Sequence, residues 1–152
     1  MGMFDFQDGN GPVPAHQHPN GGGWVAETAT VEESAFVGPD AQVSGNAQIS
    51  GYARVYENAQ VSGNAQISGY ARVYENAWVF GKAWVSGDAR VSGDARVSGD
   101  AKVSENAQVS GNAEVCGYAE VSGDACVYGN ALICGDARVS SGCQICGDTI
   151  LV

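Results

Sequence analysis

Long apolar runs are missing from this sequence, and no window approaches the length of a membrane span, so insertion into a bilayer is not expected. Cations are scarce as well: seven Lys and Arg stand against seventeen Asp and Glu, a formal charge of -10. Phosphate backbones are held by clustered cations, so DNA and RNA are not expected partners. The opening MGMFDFQDGN carries neither the basic region nor the apolar stretch of a secretory signal, and MGMFDF lacks the Ser or Thr of a myristoylation site. The expected setting is the cytoplasm by default, with a virion or extracellular appendage as the other. Cysteine is absent until the last third of the chain, where Cys116, Cys126, Cys134, Cys143 and Cys146 make an odd number. A secreted disulfide scaffold would more often show an even, distributed set, which points to reduced thiols.

What is present is a repeat. Val43 to Gln60 reads VSGNAQISGYARVYENAQ, and Val61 to Trp78 repeats it at every position but the last. From Val25 an aliphatic residue recurs every six positions through Val139, Ile145 and Leu151. A small residue follows four positions after each, from Ala29 to Ala137 and then Cys143 and Thr149. In an Ala-x-Val triplet the alternation of an extended strand puts Ala and Val on one face and x on the other. Ser-Gly-Asn or Ser-Gly-Asp then turns a corner, because Gly, Asn and Asp tolerate positive φ. Three such sides make an eighteen-residue coil, and Val25 to Ile150 contains seven of them, a prism about 34 Å tall at ordinary strand spacing. Residues 1–24 lie outside the repeat; Pro12, Pro14, Pro19 and Gly21 to Gly23 read as irregular backbone, an N-terminal cap or tail, with Phe4 and Phe6 spaced for a brief strand.

The motif V-S-G-[DN]-A-x resembles the hexapeptide repeat of left-handed parallel β-helix proteins over residues 25–152. The resemblance implies an all-β, left-handed solenoid of triangular cross-section; handedness comes from the resemblance alone, since ordinary parallel crossovers are right-handed. Many members of that family are trimeric acyltransferases that use a coil histidine and inserted loops. Here the only histidines, His16 and His18, precede the first hexad, and no loop interrupts the series. The three zinc-binding histidines of a γ-class carbonic anhydrase have no counterparts either. His16 and His18 are a weak metal half-site at most and read as solvent-exposed loop residues, so neither a catalytic residue, a cofactor nor a metal is expected.

Residues eighteen apart stack, so the outward side divides into ladders. The corner column Asp40, Asn58, Asn76, Asp94, Asn112, Asn130, Asp148 suits side-chain hydrogen bonds without adjacent like charges. Arg54, Arg72 and Arg90 stack as like charges, with Glu57 and Glu75 at the next corner expected to compensate them. Trp78, Phe80 and Trp84, with Leu132, form an apolar surface suited to lateral contact. Cys116 and Cys134 share a column close enough for a disulfide, which a reducing compartment disfavours. Cys143 takes an inward place and is expected to be buried like the Ala it replaces. At the C-terminal edge Ile150, Leu151 and Val152 remain in phase, a template for another coil. These readings lead to a non-catalytic, self-associating rod, stacked head to tail through Ile150, Leu151 and Val152 of one copy and Phe4, Phe6 and Trp24 of the next. It would serve as a filament or as part of a phage or cell-surface appendage; the alternative is a trimeric hexapeptide-repeat acyltransferase-like protein.

Overall fold

The computed structural model describes residues 2–152. Three strands open the chain: β1 (Gly2–Asp5), β2 (Pro12–Gln17) and β3 (Trp24–Ala26). Strands of two residues then follow at steps of six, from β4 (Thr30–Val31), β5 (Phe36–Val37) and β6 (Gln42–Val43) to β22 (Arg138–Val139), β23 (Gln144–Ile145) and β24 (Ile150–Leu151). Every third strand joins the same sheet, and partners in parallel pairs are eighteen residues apart, as in Gln42 with Gln60 and Trp78 with Arg96. The result is an all-β parallel solenoid with three flat sides. Two sides are seven-stranded sheets, and the third is a ten-stranded sheet ordered from β1 to β24.

Burial follows the triplet alternation. Val and Ala at the inward places from Ala35 to Ile133 are almost fully shielded from solvent, while the residue between them points out. At about 25 cal/mol per Å² of apolar area, a buried Val contributes roughly 1.5–3 kcal/mol, and each one touches only its own coil and its neighbours. Backbone bonds knit the rungs: Gln48 N–H donates to Ala65 C=O at 2.9 Å and Ser50 N–H to Ile67 C=O at 2.9 Å, with the same offset along the rod. The corners carry positive φ. Gly63 has φ 65°, and a Cβ built there would lie 2.9 Å from the backbone nitrogen of Gly81 in the next rung. Glu57, Glu75 and Glu105 occupy the same kind of corner at φ 56°, 59° and 58°, so the left-handed turn persists where Gly is replaced.

Gly2–Asp5 and Pro12–Gln17 are strands rather than irregular backbone, joined by an irregular loop. β1 and β2 form an antiparallel hairpin, and β2 pairs antiparallel with β3, Ala15 opposite Ala26 and Gln17 opposite Trp24. Pro12 and Pro14 fit because they precede the part of β2 that pairs with β3, which begins at Ala15, and Pro19 lies in the turn after the strand. On the outward side of the hairpin Phe4 stacks on Trp24 at 4.9 Å and meets Phe6 edge-on at 4.8 Å, closing a small cluster with Val13, Ala15 and Ala26. These aromatic side chains pack on one another within their own chain, and Phe4 and Trp24 remain partly exposed.

The two ends differ. At the N-terminal end Val25, Ala35 and Val37 are fully buried. At the C-terminal end Val139 is still covered, but Ala137, Ile145 and Leu151 are half-buried and Cys143 is exposed. Cys143 keeps the inward place of the Ala it replaces. Its exposure arises because β22, β23 and β24 are the outer strands of their sheets, with no further rung to cover them.

Candidate functional site

The histidines sit in built surroundings. His16, on β2, places Nδ1 2.6 Å from Glu27 Oε1. His18 is 2% exposed, and its Nε2 donates to the carbonyl of Ala35 at 2.8 Å. In every inner coil that carbonyl position accepts a backbone N–H from the preceding rung, as Ala53 C=O does from Phe36 N–H. No rung precedes Ala35, and the imidazole supplies the missing donor. His18 is thus a buried capping residue rather than a solvent-exposed one, a role the repeat could not reveal because it lies outside the repeat. Asn20 and Gly23 continue the cap, pairing with Val37 through Val37 N–H to Asn20 C=O at 3.0 Å and Gly23 N–H to Val37 C=O at 2.9 Å. Among the described residues no group of three or more His, Cys, Asp or Glu is arranged to hold a metal ion.

On the outward faces, stacked rungs bring the expected pairs together. Tyr52 lies over Tyr70 with ring centroids 5.5 Å apart, and Tyr56 over Tyr74 at 5.1 Å. The Asx column is hydrogen-bonded at its C-terminal end, Asn112 Nδ2 donating to Asn130 Oδ1 at 3.3 Å and Asn130 Nδ2 to Asp148 Oδ1 at 3.2 Å. The carboxylate of Asp148 accepts at the end of this chain, which suits a group with no donor of its own.

The proposed aromatic edge is less unified than its spacing implies. Trp78 tilts against Phe80 at 5.5 Å and carries Arg96 over its ring at 5.6 Å. Trp84 turns to its own ladder, donating its indole N–H to Gln66 Oε1 and lying under Lys102 Nζ at 5.2 Å. Leu132 is half-buried on the face of Trp78, with Ile150 beside it on the last rung, 64% exposed.

The arginine ladder departs from expectation. Arg72 pairs in register with Arg54 on one side and Arg90 on the other, and no carboxylate lies within ion-pairing distance of any of the three among the described residues. Glu57 and Glu75 do not compensate them. Arg54 rests over the Phe36 ring at 5.2 Å.

The cysteines are all free. Burial, with hydrogen bonding to Cys134 and the charges of Cys134 and Glu114, pushes the Cys116 thiol from 9.0 up to about 11. Tyr128 is also raised, by its hydrogen bond to Cys146 and the charge there, with burial and Cys126 adding to it. Both shifts favour neutral groups rather than nucleophiles.

Six segments of the chain match the YdcK beta solenoid repeat, at residues 41–57, 47–63, 59–75, 65–81, 83–99 and 89–105. The chain is a β-solenoid repeat protein. The matched segments lie in coils where the inward Val, Ile and Ala keep strict phase. No curated protein and no solved structure matches it. No helix among the described residues is long and apolar enough to cross a membrane.

Proposed function

We propose that this solenoid is a non-catalytic structural protein that joins end to end into a filament, free or within a phage or cell-surface appendage, its coil left-handed like the repeats it resembles. The observation that carries the proposal is the direction of β1. It runs antiparallel to β2, which runs antiparallel to β3, so β1 has the same sense as β3 and every rung that follows on that sheet. β1 and β24 are the two outer strands of the ten-stranded sheet. The β24 strand of one copy therefore meets β1 of the next in the parallel sense that already joins the rungs. The hairpin serves as the receiving half of the joint.

Side chains support the same register of faces. Phe4 lies on the outward side with Trp24, and Ile150 is outward on β24 above Leu132, so pairing makes one continuous apolar stripe. On the inward side Leu151 is half-buried and Met3 is exposed, and each would cover the other. Head-to-tail contact of unlike surfaces does not close on itself and extends into a filament. The uninterrupted phase of the coils supports a rod without loop-built acyl-donor sites, and titration with acetyl-CoA in a calorimeter should give no saturable heat.

Replacing Ile150 and Val152 with Lys puts charge at the joint and leaves the inner coils untouched. The double variant should remain folded by circular dichroism and be monomeric by light scattering. Assembly equal to the parent chain would refute the end-to-end joint and favour lateral packing through Trp78, Phe80 and Trp84.

A further inference from the structure

The arginine ladder forms the floor of a groove that the assembly joint does not use. Arg54, Arg72 and Arg90 stand on successive rungs of one face, about 4.8 Å apart along the rod. One wall is the preceding corner, where Tyr52, Tyr70, Asp88 and Asn106 follow one another rung by rung. Two adjoining hollows of about 350 and 360 Å³ share Tyr70 and Arg72 and continue to Gln108. The stacked Tyr52 and Tyr70 rings are 61% and 62% exposed, which leaves their hydroxyl edges open to a ligand. Three of the chain's seven cations are concentrated here on a protein of charge -10. Stacked like charges without a counterion destabilise a fold unless something else offsets them.

We propose that this groove binds a linear acidic oligosaccharide laid along the rod axis, a chain bearing carboxylates on its sugar units. Guanidinium groups pair with carboxylates through two parallel N–H donors, and a ladder of them suits a ligand with charges at regular intervals. In an extended two-fold chain the carboxylates return to one face every second sugar, a spacing close to two rungs, that between Arg54 and Arg90. An extended acidic peptide fits less well, because side chains on one of its faces recur only about every 6.6 Å. Asp88 distinguishes the ligand further. It lines the groove at the corner of the rung that carries Arg90, where its carboxylate accepts hydrogen bonds from sugar hydroxyls, groups a polyphosphate lacks. Asn106 and Gln108 add donors and acceptors of the kind that hydroxyls satisfy.

The test is calorimetric titration of the full chain at low salt with oligogalacturonate, a neutral cello-oligosaccharide, inorganic polyphosphate and polyglutamate. Oligogalacturonate should bind and the neutral sugar should not. Arg72→Gln should weaken binding by roughly tenfold, the scale of losing one charged hydrogen-bonding partner. Arg138→Gln, on another face beside Glu120, should leave it unchanged. Matching thermal transitions would show that both variants are folded. Absence of oligogalacturonate binding, equal binding by the Arg72 variant, or tighter binding of polyphosphate or polyglutamate would each overturn the assignment. The Ile150 and Val152 substitutions lie on a different face, so failure of the joint and failure of this groove are separable.

Discussion

His18 Nε2 donates 2.8 Å to the carbonyl oxygen of Ala35, taking the place of a backbone rung where the first full coil has no predecessor. The side chain is buried, and its loss would leave that carbonyl without a partner beneath the hairpin. His18→Ala should therefore lower stability by about 1–3 kcal/mol, measured by denaturant unfolding. His16→Ala, which removes a partly exposed pair with Glu27, should cost under about 1 kcal/mol. Equal small effects at both positions would show that the cap does not depend on His18.

The corners carry a second expectation. Gly63→Ala adds a Cβ at φ 65° that meets the backbone of Gly81, and the neighbouring rung is fixed on both sides. A loss of at least about 1–2 kcal/mol is expected from the left-handed conformation alone, with the close contact adding to it. Gly147→Ala, at φ 65° on the last coil with open space around it, should show the conformational part only. Thermal unfolding of the two variants side by side separates the terms.

Cys116 makes stability depend on alkaline pH. Its thiol is raised from 9.0 in the unfolded chain to about 11 in the fold, so the folded state holds the proton more tightly. The contribution is complete below pH 9 and is lost as pH rises through the interval to about 11. Unfolding temperatures followed across that range should fall more steeply for the parent chain than for Cys116→Ala. Identical slopes would contradict the shift.

The solenoid was legible because its signal is redundant: Val73, Ala77 and Val79 each recur in phase in every coil, and one misplaced side chain would break the ladder on both sides. Coil size, outward ladders and the stacking of Tyr52 on Tyr70 all followed from that period. Features outside the repeat had no second copy to check them. Pro12 and Pro14 signalled irregular backbone, yet they lie in β2 ahead of its pairing with β3, where the missing N–H groups cost no rung; Pro19 does sit in a turn. His18 gave no sign of burial because its partner, the Ala35 carbonyl, is a backbone atom that belongs to every hexad. Cys143 followed the inward phase correctly, but phase says nothing of whether a rung lies above. At the arginine ladder, spacing put Glu57 and Glu75 near Arg54 and Arg72 along the chain, yet neither carboxylate comes within ion-pairing distance of a guanidinium. The direction of β1, on which the joint depends, follows from two antiparallel pairings that no local pattern in residues 1–24 encodes.

The joint between β24 and β1 is tested most directly by electron microscopy of the assembled protein with measurement of its axial repeat. Each copy contributes ten strands to the continuous sheet, which at 4.8 Å per strand gives a repeat of about 48 Å along an unbranched filament. Discrete particles, or filaments whose repeat corresponds to two copies meeting tail to tail, would contradict the account.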